Sequence, residues 1–274
     1  MRTLYALLTE NCNLSCRYCD IKQTYGEEEW REESFFSSLK SFLNDEVVLF
    51  GGEPTMYKSR LCRALDLCPN ASISTNLIFC DQEVLDRIST IPIATTFRPL
   101  EKPLMDKWVG NIKYLISKSA NIMILVTLDL FMLAYLSGTV DFEKIIDKCI
   151  IENKIPIRFE PLIDSSTDEA YFRTYDRTLL KILSDHFDEP ERYVNLKELT
   201  NYKKDCSQVY TLYPNGKIKH GCPHSTQIAV CKECLTCYRN DICQPCRLQS
   251  LCSFPKDTYE AYMNYKGEMK NGIN

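Results

Sequence analysis

Along the first 190 or so residues, short apolar runs alternate with longer stretches whose apolar positions recur every three or four residues. The short runs read as strands at Leu4 to Leu8, Glu46 to Phe50, Ser72 to Thr75, Pro92 to Thr96, Ile122 to Leu128 and Ile155 to Glu160. Helical periodicity covers Glu29 to Leu43, Tyr57 to Leu67, Gln82 to Ile88, Leu104 to Lys118, Phe142 to Asn153 and Asp168 to Phe187. Strand followed by helix, six times over, predicts an α/β fold with a parallel sheet, either open and doubly wound or closed into a partial (β/α)6 TIM-like barrel. In both, the loops after the C-terminal ends of the strands carry function.

Composition narrows this little. At 274 residues, 45% hydrophobic and 26% charged, the chain has the makeup of an ordinary globular protein with room for one large domain and a small appendix. The apolar stretch near Met1 is too short for a signal peptide and no run reaches about 18 apolar residues, so a cytoplasmic protein without a membrane segment is expected. In such a compartment 15 cysteines point to metal, cluster or catalysis more than to disulfides. Charge is uneven: from Leu196 onward 11 Lys and Arg face 7 Asp and Glu, while the part before it carries a net −8. Anionic clusters held by the cysteines of that tail would offset its basic excess, which argues against a nucleic-acid partner.

The chemistry begins directly after the first predicted strand, at Cys12-Asn-Leu-Ser-Cys16-Arg-Tyr-Cys19. Three thiolates can hold three corners of a cubane iron–sulfur cluster whose usual ligand set is four cysteines, leaving one iron open to a small molecule. A zinc knuckle or buried thiols are the alternatives that spacing alone leaves open. The second predicted strand runs into Gly51-Gly52-Glu53-Pro54. Two glycines let backbone approach a ligand closely, and a strand-end carboxylate suits an ammonium group; the plainer reading is a strand-to-helix turn, with Glu53-Pro54 opening the next helix.

Taken together, Cys12-x3-Cys16-x2-Cys19 after the first strand and Gly51-Gly52-Glu53-Pro54 after the second resemble the radical S-adenosylmethionine superfamily. The resemblance covers roughly residues 1–190 and implies the partial barrel rather than the open sheet. It implies that Cys12, Cys16 and Cys19 bind a 4Fe–4S cluster and that S-adenosylmethionine chelates its open iron. Tyr18 would lie beside the adenine, and Gly51, Gly52 and Glu53 would meet the methionine amino group. Thr75, Asn76, Thr95 and Thr96 stand at strand ends where the family holds ribose and carboxylate. Reductive cleavage to a 5′-deoxyadenosyl radical and hydrogen abstraction from a substrate would follow, with an electron donor such as a flavodoxin or ferredoxin.

A second constellation occupies the tail. Cys206 and Cys222 flank two β-like runs joined by Asn215-Gly216, a hairpin signal, and Cys231, Cys234, Cys237, Cys243, Cys246 and Cys252 follow. Eight cysteines in 47 residues equal two four-ligand sets; Cys231-x2-Cys234 with Cys243-x2-Cys246 would also make a tetrahedral zinc site, His220 and His224 lying near. The stretch is similar to the SPASM/twitch extension of the same superfamily, departing from it in having two residues between Cys243 and Cys246 where the full motif has three. That likeness implies a small cysteine-rich C-terminal domain over 191–274 with one or two auxiliary 4Fe–4S clusters. With two, the preferred partition is Cys206, Cys222, Cys231 and Cys246 against Cys234, Cys237, Cys243 and Cys252. Such extensions are associated with peptide or protein substrates, so oxidative modification of a ribosomally made peptide is expected: a crosslink, an epimerisation or a side-chain oxidation. Radical chemistry on a nucleoside, nucleotide or tRNA, and a non-catalytic zinc- or cluster-binding module, are the competing readings. The remaining Cys62, Cys68, Cys80 and Cys149, on or beside predicted helices, read as small buried hydrophobes.

Overall fold

A computed structural model describes residues 2–16, 19, 30–98, 100–128, 152–153, 155–161 and 208–220. Strands and helices alternate through β1 (Thr3–Leu7), α1 (Glu32–Lys40), β2 (Glu46–Phe50), α2 (Lys58–Leu67), β3 (Ser72–Thr75), α3 (Gln82–Ile88), β4 (Ile93–Phe97), α4 (Lys102–Ser117), β5 (Ile122–Leu128) and β6 (Ile157–Pro161). A hairpin, β7 (Val209–Leu212) and β8 (Ile218–His220), follows. All six expected strands are present, as are the first four helices. The expected helices at Phe142 to Asn153 and Asp168 to Phe187 fall outside the described residues, apart from a turn at Glu152 and Asn153. The fold is α/β, parallel strands alternating with helices, as a partial TIM-like barrel requires. No helix among the described residues is long and apolar enough to cross a membrane.

Chain contacts divide the molecule into two compact units, one of Met1–Thr95, Gly110–Ile122 and Lys204–Arg247, the other of Thr96–Val109, Met123–Lys203 and Leu248–Asn274. In the first unit the strands run in the order β4-β3-β2-β1-β7-β8, parallel except for the β7–β8 hairpin. Its alternation buries Leu4 and Ala6 of β1, Val47 and Leu49 of β2 and Ile73 of β3. Phe35, Phe36 and Leu39 of α1, Leu61 and Ala64 of α2, and Val84, Leu85 and Ile88 of α3 complete the core from positions three and four apart. Asp81 starts α3 as its N-cap, accepting from the Val84 N–H at 2.8 Å.

The hairpin read from Asn215-Gly216 is there, and its place is notable. β7 lies parallel to β1, with Leu4 opposite Tyr210 and Ala6 opposite Leu212, so this stretch extends the sheet that carries the cysteine triplet. The turn centres on Pro214 and Asn215, closed by Gly216 N–H to the Tyr213 carbonyl at 2.9 Å. Gly216 sits at φ +83° with no room for a side chain, since a Cβ would come within 2.6 Å of Ser34. Ser38 donates to the Gly216 carbonyl at 2.7 Å and the Arg31 N–H reaches the Pro214 carbonyl at 3.0 Å, which fastens the turn to the start of α1. The second unit contains the β5–β6 parallel pair, Ile124 opposite Ile157, and an edge-on contact of Phe97 with the buried Trp108, ring centres 5.7 Å apart.

Candidate functional site

The ends of β1, β2 and β3 converge on one place. Past Leu7 the chain keeps pairing with β2: the Leu8 N–H reaches the Phe50 carbonyl at 2.9 Å, Gly52 N–H the Thr9 carbonyl at 2.8 Å and Glu53 N–H the Asn11 carbonyl at 2.8 Å. The segment leading into Cys12 is thereby zipped to the Gly-Gly-Glu-Pro turn. The two glycines are needed for that approach. A Cβ on Gly51 would lie 2.3 Å from the Thr9 carbonyl oxygen, with φ at +152°, and one on Gly52 only 2.1 Å from that of Asn11.

Glu53 is fully buried, and its carboxylate is engaged from within the protein. Oε1 accepts from the Thr55 N–H at 3.1 Å, the Thr55 hydroxyl at 2.6 Å and the Thr75 hydroxyl at 2.6 Å. Oε2 accepts from the Asn76 N–H at 2.7 Å. Burial raises the pKa of this carboxyl, while the four donors pull the other way. Locally the residue caps the short 3₁₀ turn Pro54–Met56, so the sequence reading of Glu53-Pro54 as a helix opening finds a single turn there, ahead of α2. Across the sheet it fixes the end of β3.

That β3 end is itself tightly built. Thr75 Oγ1 accepts from Leu77 N–H at 3.1 Å, Asn76 Oδ1 from Ile78 N–H at 2.9 Å, and Asn111 donates to the Leu77 carbonyl at 2.6 Å, holding Leu77 at φ +57°. The Asn76 amide nitrogen then reaches back to the cysteine loop, 2.8 Å from Asn13 Oδ1 and 3.9 Å from Cys12 Sγ. Thr75 and Thr95 are register partners on β3 and β4 and share a sheet face, both buried; Thr96 points to the opposite face and is only partly covered.

Cys12, Cys16 and Cys19 are each partly exposed, and none is in a disulfide. Cys12 Sγ accepts the Leu14 N–H at 3.4 Å, and the Cys19 N–H closes a turn on the Cys16 carbonyl at 3.2 Å. Among the described residues no three His, Cys, Asp or Glu side chains surround a point that one metal ion would occupy. A cubane takes each thiolate on a different iron, and three accessible soft thiols on one loop, one of them already receiving N–H donors, suit it as a donor set. Cys68 and Cys80 contrast with them, buried as the sequence predicts, Cys62 being half-buried; burial pushes the Cys68 thiol up to about 11. Tyr18, Cys149, Cys206, Cys222, Cys231, Cys234, Cys237, Cys243, Cys246 and Cys252 lie outside the described residues.

Sequence reasoning passed over the residues that brace this loop. Arg60 on α2 donates to the Leu8 carbonyl at 3.2 Å and is stacked by Trp30 and Tyr57, 4.0 and 4.1 Å from its guanidinium, while the Asn11 amide donates to the Tyr57 hydroxyl at 2.7 Å. Thr55, two residues after Glu53, had a visible turn signal; Asn13 and Arg60 had none, because their partners are brought in by the fold.

No protein-family model matches the chain, and no curated protein matches it in sequence. Solved structures do. Streptococcus suis SuiB is 17% identical over 79% of this chain and 59% of its own, with a TM-score of 0.56, and has also been solved with S-adenosylmethionine and with precursor peptide SuiA. Native anSMEcpe with bound AdoMet is 14% identical over 99% of this chain and 100% of its own, TM-score 0.64; with AdoMet and the Kp18Cys peptide the TM-score is 0.63. This chain thus spans about three fifths of SuiB and the whole of anSMEcpe. At these similarities the likeness is one of architecture: the chain shares the fold of SuiB and anSMEcpe.

Proposed function

We propose that this chain is a radical S-adenosylmethionine enzyme that oxidatively modifies a peptide. The observation that carries the reading is the zipped pair of loops: the segment entering the cysteine triplet and the Gly-Gly-Glu-Pro turn share backbone hydrogen bonds at the ends of β1 and β2. The loop carrying the three cysteines and the close-approach turn thus meet at the C-terminal ends of parallel strands, where such folds carry function. Structural likeness to proteins solved with AdoMet and with peptides supports both the cofactor and the substrate class.

In this reading Cys12, Cys16 and Cys19 would hold a 4Fe–4S cluster, Tyr18, Gly51, Gly52, Thr75 and Thr95 would line the S-adenosylmethionine pocket, and Glu53 and Asn76 hold the strand ends beneath it. When bound there, cluster and S-adenosylmethionine would together supply one-electron radical chemistry for hydrogen abstraction from the substrate. The protein orients and shields. Gly51 and Gly52 keep side chains out of the junction, Glu53 holds the turn to β3, and Arg60 braces the entry to the cysteine loop. The eight cysteines from Cys206 to Cys252 would hold one or two auxiliary clusters able to accept a second electron, which would make the net reaction an oxidation. A flavodoxin or ferredoxin supplies the first.

The test is anaerobic reconstitution of the wild type and of a Cys12, Cys16, Cys19 to Ala variant, with iron counting and a 5′-deoxyadenosine assay. About twelve irons falling to about eight supports two auxiliary clusters, and about eight falling to about four supports one. A wild type that holds iron yet yields no deoxyadenosine overturns the enzyme reading.

A further inference from the structure

We propose that Asn76 is a positioning residue for the first cysteine, donating from its side-chain amide to the sulfur of Cys12 and thereby raising the reduction potential of the cluster bound there. The assignment rests on the reading of Cys12, Cys16 and Cys19 as cluster ligands. It differs from the role of a ribose or carboxylate contact that the strand-end position of Asn76 implied.

Three observations support it. First, the orientation of the amide is fixed: Oδ1 accepts the Ile78 N–H at 2.9 Å, a partner that can only donate, so the NH₂ group must face the other way. Second, facing that way it meets Asn13 Oδ1 at 2.8 Å and Cys12 Sγ at 3.9 Å, 63 and 64 positions away in sequence. Third, Asn76 is itself held, 7% exposed, with its backbone N–H on Glu53 Oε2 at 2.7 Å. Glu53 in turn sits on the turn zipped to the cysteine loop, so the path closes on itself: Glu53 to Asn76, Asn76 to Asn13 and Cys12, and Asn11 back to Glu53. A donor so constrained keeps pointing at the sulfur. N–H donors to ligating sulfur favour the more negative, reduced cluster, and outer contacts of this kind orient the ligand as well.

The experiment uses the full chain reconstituted anaerobically, without S-adenosylmethionine. The cluster whose EPR signal later responds to S-adenosylmethionine is followed by potentiometric titration in the wild type, in Asn76→Asp and in Asn76→Ala. Asn76→Asp retains the acceptor for Ile78 N–H and puts an oxygen where the donor was; its potential shifts to more negative values, and that of Asn76→Ala shifts the same way by less. Unchanged potentials in both overturn the assignment, and lowered S-adenosylmethionine affinity with unchanged potentials would make Asn76 a ligand contact instead. A second measurement needs no variant: with ¹⁵N placed only in asparagine side-chain amides, pulsed EPR of the reduced wild-type cluster shows a ¹⁵N coupling. Its absence overturns the assignment even where Asn76 variants do not fold. A wild type that takes up no iron fails the proposed function itself, whereas an iron-loaded, ¹⁵N-silent wild type fails only the role of Asn76.

Discussion

Replacing Glu53 with Gln is nearly isosteric, yet the hydrogen-bond pattern makes it costly whichever way the new amide turns. Oε1 accepts from the Thr55 N–H and Oε2 from the Asn76 N–H, and neither backbone group can do anything but donate. With the amide nitrogen at the first position, Thr55 N–H faces a donor; with the amide flipped, Asn76 N–H does. The two threonine hydroxyls can rotate to accept, so they relieve neither case. One buried N–H is left without a partner, about 1–3 kcal/mol, and the remaining contacts lose a charged acceptor, so Glu53→Gln should destabilise the first unit by roughly 2–4 kcal/mol. Amide hydrogen exchange of the metal-free chain reads this directly, as lost protection at Asn76 or Thr55 and along β3. Burial also raises the Glu53 pKa in the folded chain, so the folded state holds this proton more tightly than the unfolded one. Its contribution therefore falls as pH rises from the ordinary carboxylate value towards the raised one, and Glu53→Gln removes that slope. If Glu53→Gln keeps wild-type protection while S-adenosylmethionine binding is lost, Glu53 is a ligand contact and does not hold the strand ends together.

Other expectations are more direct. Gly52→Ala places a Cβ 2.1 Å from the Asn11 carbonyl oxygen and 2.6 Å from that of Glu10, both backbone, so the loops must separate; iron uptake at the triplet should fall at least several-fold, and full uptake would contradict the zipped junction. Trp108→Ala, at a side chain 1% exposed and packed on Phe97, should cost about 3–5 kcal/mol, with exchange protection lost in the second unit and kept in β1 and β2. Cys68, with its thiol pushed up to about 11, should alkylate much more slowly than Cys62 at pH 8 in the native chain, and equal rates by peptide mapping would contradict its burial.

How much could be read in advance depended on how local the cause was. The strands announced themselves because a buried parallel strand needs a short apolar run, and Val47-Val48-Leu49-Phe50 or Ile122 to Leu128 have no other economical use. The Asn-Gly turn was legible for the same reason, since Gly216 takes a conformation that its own residue type permits. Where β7 would pair was not legible. Four residues, Val-Tyr-Thr-Leu, suit any sheet edge, and lying against β1 is decided by partners about 200 positions earlier.

The strand-end motif shows the same divide within a single tetrapeptide. Two glycines and a carboxylate after a strand were read as groups presented outward, the glycines admitting a ligand and Glu53 meeting an ammonium. In the folded chain the missing side chains of Gly51 and Gly52 first admit the chain's own backbone at Thr9 and Asn11, and Glu53 is sealed under donors from Thr55, Thr75 and Asn76. Residue type foretold close approach and an anion among donors; it did not reveal that the approaching partner and the donors belong to the protein. A site assembled from three strand ends must first hold those ends in register, and the groups best suited to do so are the same ones that would bind a small polar ligand. Glu53 and Asn76, buried and committed to partners within the protein, therefore hold the strand ends beneath the cysteine loop, and any ligand meets a site whose frame these groups have already set.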